Sequence, residues 1–158
     1  MMKTFDIASS ESMQALAANV AKQLAAPNVI VLNGTLGAGK TTFCQGFLRG
    51  VGVESLIKSP TYSLIETYVI GETHYYHLDL YRLRSPQEIY DLGIEDCFSS
   101  DSIVLIEWPE KAANLLPKAT LTIDIEPGDD DFQRKVKCLA HTSNTVKIVE
   151  SLKGNWGS

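Results

Sequence analysis

Cysteine is scarce in this chain, and the few present stand far apart. Cys44, Cys97 and Cys138 are the only three in 158 residues. They are odd in number and form no C-x-x-C pair, so neither a disulfide framework nor a paired-cysteine zinc site is expected, and reduced thiols remain. Continuous apolar stretches are short as well. None approaches 18 residues, which excludes a membrane-spanning helix. The opening Met1-Met2-Lys3-Thr4-Phe5-Asp6 has no apolar core of a signal peptide. Cationic residues are outnumbered: 14 Lys and Arg face 19 Asp and Glu, a net charge of −5. Such a chain is short of the clustered cations that neutralise nucleic-acid phosphates. Direct RNA binding is therefore not expected; if RNA is part of its biology, another protein carries the contact. No repeat, linker or low-complexity tract interrupts the chain. With 44% apolar and 21% charged residues, it reads as one globular domain over 1–158, cytoplasmic and without a membrane partner.

The positions that remain show clear periodicities. Met13, Leu16, Ala17, Val20 and Leu24 recur at helical spacing, with Ser9 or Ser10 as cap and Pro27 beyond the end. Val29 to Leu32 and Ile103 to Ile106 are unbroken apolar runs, the pattern of strands buried on both faces. A helix carrying Phe43, Phe47 and Leu48 follows a glycine-rich segment and stops at Gly50 and Gly52. Two-fold alternation from Ser63 to Val69 and from Thr73 to Leu80, about a turn at Gly71, predicts an antiparallel pair. Ser85-Pro86-Gln87-Glu88 predicts a capped helix ending at Gly93. Leu121, Ile123 and Ile125, then Val136 and Cys138, predict a solvent-facing hairpin at one side of the sheet, with Asp129 to Asp131 as a solvated turn. A short helix is expected from Asn144 to Leu152, then a frayed end. Strands alternating with helices give an α/β class: three layers, a mixed central sheet and helices on both faces.

Gly34-Thr35-Leu36-Gly37-Ala38-Gly39-Lys40-Thr41 fits G-x-x-x-x-G-K-[ST] at every fixed position, between a buried strand and an amphipathic helix. Glycines there let main-chain N–H groups approach phosphate oxygens, and the helix directs its positive end at the same anion. Lys40 supplies a cation between β- and γ-phosphates. Thr41 supplies a hard oxygen for Mg²⁺, and Thr42 reaches the α-phosphate. The chain has neither an N/T-K-x-D nor a D-x-x-G element, which favours ATP over GTP.

A phosphate loop needs an acid at the end of a buried strand to hold the metal or polarise water. Glu107 ends the Ile103 to Ile106 strand. Asp79, in His77-Leu78-Asp79-Leu80-Tyr81-Arg82, shares a strand face with His77 and Tyr81, so His77 is expected to orient it. Either acid serves as Mg²⁺ ligand or as base, and the alternative for each is structural: an exposed strand end for Glu107, a surface pair with Arg82 for Asp79. His74 and His77 fall on opposite faces, so a shared metal is not expected; His74 and His141 read as surface residues. Thr61, in Lys58-Ser59-Pro60-Thr61, lies where a loop senses the γ-phosphate.

Together these segments resemble the TsaE (YjeE) family of small P-loop ATPases of tRNA threonylcarbamoyladenosine biosynthesis. The shared elements are L-G-A-G-K-T-T at Leu36 to Thr42, S-P-T at Ser59 to Thr61, H-x-D-x-Y-R at His77 to Arg82 and I-E-W at Ile106 to Trp108. The resemblance implies nucleotide contacts from Gly37, Ala38, Gly39, Lys40, Thr41, Thr42, Thr61 and Trp108, with ATP or ADP and Mg²⁺ as cofactors. It implies catalytic roles for Lys40, Asp79 and Glu107, and metal ligation by Thr41, Glu107 and Asp79. It also implies an ATPase that is weak alone and acts with TsaB and TsaD, which transfer a threonylcarbamoyl group to the adenosine beside the anticodon. Thr35 stands where the family often has an acid, and Tyr62 where it has phenylalanine; both departures bear on tuning. The competing readings are a small-molecule kinase, for which only Arg82 and Arg84 offer lid cations, and a nucleotide-dependent binding module that does not hydrolyse.

Overall fold

Two apolar runs set the middle of the sheet. In a computed structural model, which describes residues 1–153, they become β2 (Asn28–Asn33) and β5 (Ser102–Glu107), paired in parallel with Leu32 opposite Glu107. Every residue of β5 is buried, as its pattern requires. β2 departs from the expectation: Ile30 and Leu32 are buried on one face, whereas Val29 and Val31 on the other are half-buried. That second face is covered only by short helical turns.

The remaining strands are β1 (Met2–Ile7), β3 (Ile65–Ile70), β4 (Thr73–Asp79), β6 (Leu121–Pro127) and β7 (Arg134–Ala140). The seven-stranded order is β1-β7-β6-β2-β5-β4-β3. The four central strands run parallel, and the antiparallel partners β3, β7 and β1 flank them. This is the mixed α/β sheet expected from the alternating elements. The β6–β7 hairpin forms but is not marginal. β6 pairs with β2, β1 covers the outer edge of β7, and Leu121, Ile123, Ile125, Val136 and Cys138 are all sealed in the core. β1 was not anticipated, because only Phe5 and Ile7 mark its inner face.

On one face lie α1 (Ser10–Gln23), α2 (Lys40–Gly50) and α4 (Ser143–Ser151), packed on Ile30, Leu32, Ile103 and Leu105. Ser9 caps α1 by accepting from the Ser12 N–H at 3.1 Å. α1 and α2 approach closely because Gly46 and Gly50 face Gln14 and Ala18. A β-carbon built on Gly46 would stand 2.4 Å from Gln14 Cα, and one on Gly50 2.6 Å from Ala18 Cα. Backbone cannot yield as a side chain can. Gly46→Ala is expected to destabilise the fold by about 1–3 kcal/mol, read as a lower urea midpoint with unchanged slope.

The opposite face is thinner. Leu78, Leu80, Val104 and Ile106 pack beneath α3 (Glu88–Asp91), which contributes Ile89, and two 3₁₀ segments, Ile94–Cys97, which contributes Ile94, and Pro109–Leu115. The expected helix from Ser85 to Gly93 is thus a single turn. Ser85 offers only its carbonyl, to the Glu88 N–H at 3.2 Å, and the Glu88 carboxylate instead accepts from the Arg84 N–H at 2.9 Å. Gly93, at φ +66°, ends the turn as anticipated. The frayed end expected for the last few residues lies outside the described residues. No described helix is long and apolar enough to cross a membrane.

Candidate functional site

The parallel strands deliver their C-terminal ends to one edge, where ligands of open α/β sheets gather. Register makes this quantitative: Asp79, the last residue of β4, pairs with Glu107, the last of β5, and Glu107 pairs with Leu32 just before the glycine-rich loop. A cleft of about 400 Å³ opens there, and all ten residues singled out from the sequence line it: Gly37, Ala38, Gly39, Lys40, Thr41, Thr42, Thr61, Asp79, Glu107 and Trp108. A larger hollow of about 660 Å³ lies between the α1–β2 connection and the start of α4, remote from these groups. Its lining holds one charged residue, Lys147, and no acid, so the smaller cleft carries the chemistry.

The loop turns into α2 at Gly39, which has φ +112° and provides no side-chain cap. A residue with a β-carbon is strained there, and the first-turn N–H groups of α2 remain available to an anion. Lys40 is only 4% exposed. Its ammonium donates to the Gly34 carbonyl at 2.5 Å and lies 3.5 Å from the centre of the Trp108 ring. Burial lowers its pKa from the ordinary value, while Glu107, Glu110 and Asp79 pull it back up. Trp108 itself has φ +58°, a backbone state uncommon for a bulky residue; it turns the indole over Lys40 and against Tyr81, 4.9 Å between ring centres.

The two acids are neither an exposed strand end nor a surface pair. Glu107 is 2% exposed and Asp79 6%. Thr41 Oγ1 stands 3.0 and 3.1 Å from the two Glu107 oxygens, donating to that carboxylate. Three hard oxygen donors therefore converge at the helix start, a set that fits Mg²⁺. Asp79 accepts from the Tyr81 N–H at 3.1 Å and from Thr61 Oγ1 at 3.5 Å, so the Ser59 to Thr61 loop does reach the acid. Desolvation raises the Asp79 pKa from the ordinary value, Glu107 adds to the rise, and the Tyr81 N–H opposes it.

The expectation that His77 orients Asp79 is corrected. The His77 Nε2 lies 2.6 Å from Glu107 Oε2. Both residues point to the α2 face of the sheet from neighbouring strands, and cross-strand proximity prevails over the two-residue spacing along β4. His74 is half-exposed and His141 exposed, as read from the sequence. Arg82 stacks on the exposed Tyr62 ring at 4.4 Å instead of pairing with Asp79.

Arg134 was missed. From the start of β7 its Nε donates to the Ala38 carbonyl at 3.0 Å and its Nη2 to the Gly37 carbonyl at 3.5 Å, bracing the loop from outside. Nothing in its local sequence distinguishes it, since the contact spans 96 residues. On that side a shallower hollow of about 180 Å³ runs from Gly39 and Thr42 to Met13, Phe132 and Arg134.

Comparison with known proteins identifies the family. The family model for the threonylcarbamoyl adenosine biosynthesis protein TsaE matches residues 7–136. The tRNA threonylcarbamoyladenosine biosynthesis protein TsaE of Haemophilus influenzae is 45% identical over 123 residues, 78% of this chain and 77% of that protein. The Bacillus subtilis protein of the same name is 37% identical over 125 residues, 79% of this chain and 77% of that one. Among solved structures, Bacillus subtilis YdiB superposes with a TM-score of 0.80 at 29% identity, covering 95% of this chain and 93% of its own. The chain belongs to the TsaE family, and its role lies in the biosynthesis of threonylcarbamoyladenosine in tRNA.

Proposed function

We propose that the chain is a Mg²⁺-dependent ATPase, converting ATP and water to ADP and phosphate, weak alone and effective in support of TsaB and TsaD. The observation that carries this reading is the convergence of buried Lys40, Thr41, Asp79 and Glu107 on the uncapped start of α2. ATP and Mg²⁺ fit the donors there: a cradle in which Gly39 presents no β-carbon, a buried ammonium, and hard oxygens.

The N–H groups from Gly37 to Thr42 bind the phosphate oxygens. Lys40 moves from the Gly34 carbonyl to lie between β- and γ-phosphates. Thr41 and Glu107 hold Mg²⁺, which when bound neutralises charge developing on the phosphates. Asp79, whose raised pKa suits a base, orients the attacking water and accepts its proton. Thr61 couples the Ser59 to Thr61 loop to Asp79, so nucleotide state is transmitted to the surface beside Tyr62 and Arg82. Contact with tRNA passes through the partner complex, in keeping with the net charge of −5. The role of its relatives in tRNA modification supports a cytoplasmic location.

Past Thr42 the phosphate chain leads into the Met13–Phe132 hollow, which we assign to the nucleoside. Phe132, at the rim of that hollow, is 78% exposed. Phe132→Ala is expected to weaken ATP binding by about tenfold, from the loss of roughly 1–3 kcal/mol of base stacking, with inorganic triphosphate binding unchanged by calorimetry.

Incubation with γ-labelled ATP, with and without TsaB and TsaD, tests the reaction. Label released as phosphate and stimulated by the partners is expected. Transfer to a metabolite indicates a kinase instead, and binding without release a non-hydrolysing module.

A further inference from the structure

Behind the Thr41–Glu107 contact, three chemically different metal-ligating side chains meet in the interior. One ligand atom each from Cys44, His77 and Glu107 lies within 4.8 Å of the other two. α2 brings Cys44 one turn beyond Thr41, and the adjacent strands β4 and β5 bring the others. Their exposures are 0%, 0% and 2%. His77 Nε2 is engaged with Glu107, whereas His77 Nδ1 is buried with no hydrogen-bond partner among the described residues. A buried ring nitrogen left unpaired is costly. Nε2, on the ring edge that faces Glu107, is the nitrogen placed to take a metal ion, with the ring proton then on Nδ1.

We propose that Cys44, His77 and Glu107 form a second cation site, selective for a thiophilic or borderline divalent ion such as Zn²⁺, and mutually exclusive with the oxygen site of Thr41 and Glu107. The exclusivity rests on the reading of Glu107 as a Mg²⁺ ligand; the binding itself does not. A thiolate, an imidazole and a carboxylate make a donor set suited to Zn²⁺, while Mg²⁺ demands oxygen ligands. Zinc–ligand bonds of about 2.0–2.3 Å require the His77 and Glu107 atoms, now 2.6 Å apart, to part around the ion, and water completes a tetrahedron. Charge balances, since the two anions Cys44 and Glu107 meet a divalent ion with neutral His77 between them. One bond breaks: the Cys44 S–H, whose proton leaves to solvent as the sulfur–metal bond forms. Burial, reinforced by Glu107 and Asp79, pushes the Cys44 thiol up. Entry is through the cleft that Thr41 and Glu107 line. Binding draws Glu107 toward Cys44 and away from Thr41, which withdraws the acid that hydrolysis uses.

Cobalt(II), added alone to the nucleotide-free full-length protein, reads the site through its thiolate charge-transfer absorption in the near ultraviolet. One equivalent of band is expected, displaced by one equivalent of Zn²⁺ and retained with one equivalent of Mg²⁺. It should vanish in Cys44→Ala and persist in Cys97→Ala and Cys138→Ala. Cys44→Ser, with the same volume, gives the same loss if the alanine variant fails to fold. Absence of the band, or its survival in both Cys44 variants, overturns the site. Zn²⁺-loaded wild type should lose partner-stimulated hydrolysis in excess Mg²⁺ while Cys44→Ala keeps it; full activity with the site filled overturns the exclusivity. The cobalt band requires no nucleotide, so failure of ATP to bind the metal-free protein counts against the ATPase reading alone.

Discussion

Lys40→Ala is expected to weaken ATP binding by about a hundredfold, since removing one partner of a buried charge pair costs roughly 2–5 kcal/mol. The cause is local. The Lys40 ammonium is buried, already partly desolvated, and held by one carbonyl and the Trp108 face. Neither is as good a partner as a phosphate dianion, so nucleotide draws the cation off the ring. Alanine leaves the phosphates facing Glu107 and Asp79 without a cation between. Calorimetric titration with Mg–ATP measures the loss, and an affinity within threefold of wild type, a margin of about 0.65 kcal/mol, removes Lys40 from the site. The fold itself should persist, because the substitution also relieves a buried charge.

The second large effect falls on turnover. Asp79→Asn and Glu107→Gln are expected to lower partner-stimulated hydrolysis by about 10²–10⁴-fold, with ATP binding retained in Asp79→Asn. Asp79 has a pKa raised by burial and by Glu107, so its neutral form is the one the fold favours. That contribution is fully present below the unfolded pKa, near 3.8, and is lost as pH rises through the folded value. Asp79→Asn keeps an acceptor for the Tyr81 N–H without the charge. Its melting temperature should therefore exceed wild type at pH 8, with the gain vanishing near pH 3.8. A gain that is the same at both pH values contradicts the burial of that carboxylate. The acid limb of the turnover profile should likewise be displaced upward from the ordinary aspartate value.

Much of the site was legible because its signals are local. The phosphate loop is eight consecutive residues, and Glu107 ends an apolar run that marks its strand as buried, while Asp79 ends a strand marked only by two-fold alternation. Parallel pairing then brings Asp79 level with Glu107, a consequence of topology that no spacing reveals. The same holds for what went unread. Arg134 and the Cys44–His77–Glu107 meeting depend on residues distant in sequence. The close seat of Gly46 on Gln14 is a property of two helices together. β1 carries only two inward apolar side chains, too few for a period, and it forms because β7 presents a free edge. The helix from Ser85 fell short at its start for a local reason: the Glu88 side chain reaches back to the Arg84 N–H, and Ser85 offers its carbonyl instead of a side-chain cap.

Titration calorimetry of the full-length protein with Mg–ATP, alone and with TsaB and TsaD, bears most directly on whether a triphosphate lies in the Gly34 to Thr41 loop. One site per chain is expected, with ADP and ATP both binding and the heat lost in Lys40→Ala. No heat from any purine nucleotide, with magnesium and both partners present, contradicts it.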